Sequence, residues 1–282
     1  MMSYCGYLSM FPPFTGAMRR YAEDFDHLRD LCMDRIKEHQ RTYVKGEIRD
    51  FIDIFIEEMK KEDHDETFRE DQLALLLRDF LDAGSQAVSF TLEWCMIILA
   101  KKPEYQKKIR EESDAIVGQN NPVVMTHRDK MPFTQAFIFE VMRTCTIVAL
   151  SHVCAVEEGV QVNGYTLPKN TPILSVTSAV HNDPRYFKKP KEFRPERFIN
   201  PTDGSFQKSK YWMPFSLGRR SCAGYQMAHV EIFVILVNLV RSFDIAADDE
   251  KNIPNLNDGE HGVLYLPPPF EMRATERVDG NC

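Results

Sequence analysis

The chain has 282 residues, 43% of them hydrophobic and 27% charged, a composition that supports a sizeable core and excludes disorder as the default state. Its net charge of −7, with no long run of Lys or Arg, provides no basic face and excludes nucleic acid as a partner. The seven cysteines at positions 5, 32, 95, 145, 154, 222 and 282 form an odd, scattered set without Cys-x-x-Cys or zinc-ligand spacing, so they read as reduced thiols, one of them with a special role.

The opening MMSYCGYLSMFPPFTG shows no basic stretch leading into an apolar run, so no signal peptide or anchor is visible in it. From Ala17 to Arg41, apolar residues at spacings of three and four predict a long amphipathic helix, and a shorter one is predicted over Arg49 to Lys61. The acidic linker KEDHDET leads into Asp71 to Lys101, which has no Pro and a single Gly and is apolar on most sides. Such a segment is expected to run buried through the middle of the domain. Pro103 and Pro132 stand at helix starts, predicting helices over Glu104 to Val117 and Phe133 to Val148.

The texture then changes. VQVNGYTLP alternates around Asn163-Gly164, a tight-hairpin signal, and residues 181–215 read as an ordered meander rich in Pro and aromatic side chains. Cys222 to Phe243 is predicted as the last long helix, with Met227, Val230, Phe233, Val234, Val237 and Val240 on its buried stripe. Its apolar run from Ile232 to Leu236 falls far short of the roughly 20 residues of a membrane span, so nothing is expected to cross a bilayer. The tail VLYLPPPFEMRA supplies one or two strands. The expected class is mainly α with small β-sheets.

The segment from Phe215 to Gly224, FSLGRRSCAG, sets one cysteine between a glycine-bearing loop and an apolar helix. A thiolate on haem iron needs its charge stabilised, and free N–H groups at a helix start supply that without a proton. Gly218 permits the turn that aims the sulfur, and Gly224 lets the helix approach a porphyrin closely. Phe215 covers the proximal face, and Arg220 is placed to pair with a haem propionate. Chance supplies the pattern F-x-x-G-x-R-x-C-x-G on the order of once in ten thousand such chains.

This loop resembles the haem-binding signature of the cytochromes P-450. Glu140-Val-Met-Arg143 matches that family's E-x-x-R, and Pro195-Glu196-Arg197-Phe198 matches its meander motif, whose arginine joins the pair in a buried network. The likeness is closest to the microsomal, drug- and lipid-oxidising branch and spans about Tyr7 to Phe243. It implies a cytochrome P-450-like helical fold, with residues 1–282 forming the carboxy-terminal part of one domain and a long central helix over the haem. The anchor and first helices of the family have no counterpart in this sequence.

On the central helix the family has Ala-Gly, any residue, an acid, then Thr. This chain has Ala83-Gly84-Ser85-Gln86-Ala87, so the acid is replaced by Gln86 and the alcohol by Ala87. Glutamine hydrogen-bonds a water without donating a proton as an acid does, and alanine offers no hydroxyl. Ser85 is a poor substitute, being a rotation of roughly 100° away, and Ser89 reads as a back-bonded helix serine. Cys154 stands where the branch has a propionate-directed histidine, with His152 nearby.

The resemblance implies haem b (iron protoporphyrin) with Cys222 as metal ligand, Gly84 opening the groove where dioxygen sits, Ala83 beside the cofactor, and a pocket lined by Phe80, Leu81, Ala83, Ile147 and Val148. It further implies a monooxygenase inserting one atom of O2 into a small apolar organic substrate. Electrons would come from an NADPH-dependent reductase docking near Arg219, at the cytoplasmic face of the endoplasmic reticulum membrane. Two alternatives stay open: a haem-thiolate isomerase or dehydratase of oxygenated lipids, and a truncated product with little or no haem-dependent activity.

Overall fold

A computed structural model describes residues 14–118, 121–151, 153–249 and 252–277. It is mainly helical, with small two-stranded antiparallel sheets, as expected. The chain divides into two compact units, Met1–Gln86 and Ala87–Cys282, and the division falls inside one helix.

The first unit holds α1 (Phe14–Thr42), α2 (Phe51–Met59) and the first half of α3 (Glu70–Lys101). Asp50 starts α2 by accepting the Ile52 and Asp53 N–H groups at 2.9 and 3.3 Å. Arg49 grips the buried Asp53 carboxylate with Nε at 2.6 Å and Nη2 at 2.7 Å, and these hydrogen bonds hold its pKa down to about 2. Cys32 and Ile36 from α1, Phe55 from α2 and Leu73 and Ala74 from α3 form a small core.

The α3 stripe that starts at Leu73 and Leu77 runs on through Phe80 and Leu81, which are exposed. The ring of Phe51, the first residue of α2, meets Phe80 edge-on at 5.6 Å. The expectation of a helix buried along its length therefore fails for this half, because the covered stripe outruns α2.

The second unit is built around the rest of α3, with α4 (Pro103–Val117), α5 (Pro132–Cys145), α6 (Thr177–His181) and α7 (Tyr225–Ser242). Trp94, Cys95, Ile97 and Leu99 of α3 are buried in its core, and Trp94 stacks on Tyr265 at 5.3 Å. Among the described residues α3 is the one helix long and apolar enough to cross a membrane, which the sequence reading did not foresee. Its packed second half is what a core helix also shows.

Helix α5 is buried on every side from Thr134 to Arg143. Pro132 opens it, and the Glu112 carboxylate of α4 accepts the Phe133 and Thr134 N–H groups, each at 2.8 Å, and the Thr134 hydroxyl at 2.6 Å. It ends at Cys145, three residues before the expected Val148. Thr146 takes a φ of 28°, with its hydroxyl donating to the Arg143 carbonyl at 2.6 Å.

Helix α7 starts at Tyr225 rather than Cys222. Its buried face is His229, Ile232, Phe233, Leu236, Val237 and Val240, while Met227 is exposed. The stripe is thus turned from the expected one.

The strands are β1 (Cys154–Ala155), β2 (Val160–Val162), β3 (Tyr165–Leu167), β4 (Pro172–Ile173), β5 (Phe243–Ala247), β6 (Glu260–His261), β7 (Tyr265–Leu266) and β8 (Met272–Glu276). Strands β2 and β3 form the expected hairpin, with φ of 48° at Asn163 and 84° at Gly164, the two positive values a type I′ turn requires. The other pairs are β1 with β4, β5 with β8 and β6 with β7. The meander carries a 3-10 turn at Pro195–Phe198.

Candidate functional site

The loop ahead of α7 is fixed from several sides. The Trp212 indole N–H donates to the Phe139 carbonyl of α5 at 2.9 Å, and its ring stacks on Phe139 at 3.9 Å. The Met213 N–H donates to His181 Nε2 at 3.0 Å. Beyond that anchor the chain turns at Ser216 (φ 61°) and again at Gly218 (φ 77°), where the left-handed backbone favours glycine. A short 3-10 turn over Gly218–Arg220 follows. The Cys222 N–H then donates to the Phe215 carbonyl at 2.9 Å and closes the loop.

The loop holds the Cys222 thiol exposed, whereas Cys32, Cys95 and Cys145 are buried and Cys154 is half-buried in β1. Burial pushes the Cys95 and Cys145 thiols upward, which keeps them protonated and inert. Cys5, Cys282 and His152 lie outside the described residues.

Gly224 is the residue at the head of α7, and a Cβ built there would touch the Cys222 sulfur at 3.8 Å. No side chain caps this helix, so its first N–H groups are left to whatever anion approaches. Phe215, Trp212 and Tyr225, with Lys208 and Leu217, border a cavity of about 210 Å3 beside Cys222. The Lys208 ammonium lies 5.0 Å from the Trp212 ring and 5.3 Å from Tyr225. Arg220 is exposed and makes no hydrogen bond or ion pair among the described residues, and Arg219 stands 3.9 Å from Glu157 with both side chains in solvent. One soft sulfur ligand, an uncapped helix start, an apolar flank and an unengaged guanidinium together suit a planar, anionic iron group held through a single thiolate.

Behind this loop an ion cluster, with Glu140 and Arg143 fully buried, locks α5 to the meander. Glu140 accepts from Arg143 Nε at 2.8 Å and Nη2 at 2.9 Å, and from Arg197 Nε at 2.9 Å. The Arg194 N–H adds a fourth bond at 2.8 Å. Two cations share one carboxylate, and the surplus is met by backbone oxygens. Arg143 donates to the His181 and Pro190 carbonyls, and Arg197 to those of Lys188, Lys189 and Glu192. The three motif residues are therefore brought together.

Ala83, Gly84 and Gln86 lie in the first unit, whereas Ala87 and the cysteine loop lie in the second. Ala83 and Gln86 are exposed and Gly84 is half-buried. The Gln86 amide donates one turn back to Asp82 at 2.9 Å, and the Ala87 carbonyl accepts the Thr91 hydroxyl at 2.7 Å. The back-bonded residue here is thus Thr91. Ser85 and Ser89 are exposed, and no side-chain hydrogen bond of either occurs among the described residues. Ile147, expected to line a pocket, belongs to the core, and its carbonyl accepts the Tyr265 N–H at 2.8 Å.

Two buried histidines escaped sequence reading. His181 is tied to Thr146 and Met213, and His229 sits in a box of Phe139, Trp212, Phe215 and Tyr225. An isolated histidine carries no motif, and only contacts from distant segments define its role.

The profile of the family described as Cytochrome P450 matches residues 1–274. Cytochrome P450 2U1 of Homo sapiens is 34% identical over 282 residues, covering 98% of this chain and 51% of the relative. Cytochrome P450 18a1 of Drosophila melanogaster is 30% identical over 287 residues, covering 99% and 53%. Cytochrome P450 2C44 of Mus musculus is 30% identical over 264 residues, covering 93% and 53%. The chain spans about half the length of the curated relatives it matches. With the profile extending over nearly all its residues, the chain belongs to the cytochrome P450 family.

Proposed function

We propose that residues 1–282 are the carboxy-terminal part of one haem-thiolate monooxygenase domain, with Cys222 as the iron ligand. The observation that carries this reading is the exposed Cys222 thiol, held by a backbone-closed loop at the uncapped start of α7. When bound, haem b supplies the redox-active iron at which dioxygen is reduced. The chain's own residues hold and shield it. Cys222 donates electron density through sulfur, Gly218 sets the turn that aims it, Phe215 flanks it with an apolar ring, and Gly224 removes bulk beside it. Arg220 has its guanidinium unengaged among the described residues and suits a propionate. Gly84 opens the dioxygen groove in this reading, with Ala83 beside the cofactor, and the substrate is a small apolar organic molecule. An NADPH-dependent reductase at the cytoplasmic face of the endoplasmic reticulum supplies the electrons.

The test is the spectrum of the reduced, carbon monoxide-bound protein. A red-shifted main band is expected for the native chain and its loss for Cys222→Ser. A serine variant with an unchanged band overturns the assignment.

A second reading, an isomerase or dehydratase of oxygenated lipids, is favoured by one observation. Gln86 spends its amide on Asp82, and Ala87 has no hydroxyl, so neither residue delivers a proton where the family's acid and alcohol would. Turnover of a fatty-acid hydroperoxide without reductase or NADPH supports that reading, and a complete lack of turnover removes it.

A further inference from the structure

We infer that His181, as the neutral tautomer with its proton on Nδ1, is the positioning residue that pins the cysteine loop to the end of α5. The inference rests on the reading of Cys222 as the ligand, and names what holds that ligand's loop in place.

The tautomer follows from the partners. The Met213 backbone N–H can only donate, and it reaches His181 Nε2 at 3.0 Å, so Nε2 is an acceptor. A neutral ring then carries its hydrogen on Nδ1, 2.9 Å from the Thr146 hydroxyl. That hydroxyl already donates to the Arg143 carbonyl at 2.6 Å and is free to accept. Each hydrogen bond in the chain from Arg143 through Thr146 and His181 to Met213 then has one donor and one acceptor. The His181 carbonyl also accepts from Arg143 Nη1 at 2.8 Å, so backbone and ring of one residue join the buried ion cluster to the loop. Cys222 lies nine positions after the Met213 anchor, and the bond from the Cys222 N–H to Phe215 transmits its position.

A proton on Nε2 would set two donors face to face and open this link. The ring is fully buried, the Arg143 guanidinium of α5 is the charged group facing it, and the Phe187 ring meets it edge-on at 6.1 Å. Burial first, and the Arg143 charge second, lower its pKa from 6.5 to about 4. The neutral form is the one held. The link is therefore complete above the ordinary value of 6.5 and is lost as pH falls through about 4.

The test compares the whole chain with His181→Gln, which offers an acceptor and a donor, and His181→Phe, which offers neither. Hydrogen exchange at the Met213 amide, read without haem and corrected for intrinsic rates, is expected to rise about tenfold in His181→Phe and to return toward native in His181→Gln. In the native chain that protection falls between pH 6.5 and 4, and in His181→Gln this acid step is absent. With haem bound, His181→Phe is expected to shift part of the reduced carbon monoxide band to its unshifted position. Thr146→Val, which leaves the imidazole in place and removes its Nδ1 partner, gives the same direction of change if His181→Phe does not fold. Equal Met213 exchange in the native, Gln, Phe and Thr146→Val chains overturns the inference. Because the exchange readout needs no haem, it stays separate from failure of the Cys222 assignment.

Discussion

At the scale of single residues, the energetics of the site are dominated by groups that cannot reach water. Glu140 and Arg143 are both fully buried and bonded at 2.8 and 2.9 Å. Arg143→Leu leaves Glu140 with the Arg197 guanidinium and the Arg194 N–H and strips two backbone carbonyls of their donor, which should cost about 3–5 kcal/mol, visible as a large fall in the urea midpoint. His229 is the opposite case. Its Nε2 is buried with no partner among the described residues, and burial, then the charges of Arg128 and Lys208, lower its pKa to about 4. A phenyl ring suits that aromatic box better, so His229→Phe should stabilise the chain by about 1 kcal/mol in thermal denaturation at pH 7. The advantage should widen as pH falls from 6.5 toward 4, because the native imidazole must stay neutral while its unfolded counterpart takes a proton. An advantage that is constant across that range would refute the assignment of a neutral buried ring.

At the scale of elements, helix ends separate what the sequence makes legible from what it hides. Asn163-Gly164 is a local signal and yields the hairpin, and Pro103 and Pro132 mark the starts of α4 and α5. The end of α5 is set at Thr146 by partners as distant as His181, so periodicity ran on to Val148. Cys222, Glu140, Arg143 and Arg197 were legible because each sits in a fixed local spacing, and the histidines were not. Strand β5 escaped because its partner β8 lies in the tail and Gln106 of α4 holds its edge, accepting the Ile245 N–H at 3.0 Å. Glu112 is another hidden device, a carboxylate from α4 that supplies the cap which Met131 does not give α5. Glu112→Ala should cost about 1–2 kcal/mol and raise hydrogen exchange at Phe133 and Thr134 first. Uniform loss of protection along α5 would mean that the carboxylate does not act as a cap.

At the scale of the molecule, the two units differ in how much holds each together. The first rests on a core of Cys32, Ile36, Phe55, Leu73 and Ala74, and exposes Ile54, Phe80 and Leu81. The second has a continuous core running through α3, α5 and α7. Unfolding should therefore not be two-state, and calorimetry is expected to resolve an early transition belonging to residues before Ala87. A single transition with equal calorimetric and van't Hoff enthalpies would contradict this. The sequence has two tryptophans, Trp94 and Trp212, and both are buried in the second unit. Intrinsic indole emission is consequently blind to the first of the two transitions: ellipticity will begin to decay while the emission maximum stays blue, and a fluorescence-only assay will overstate how much of the chain is still folded.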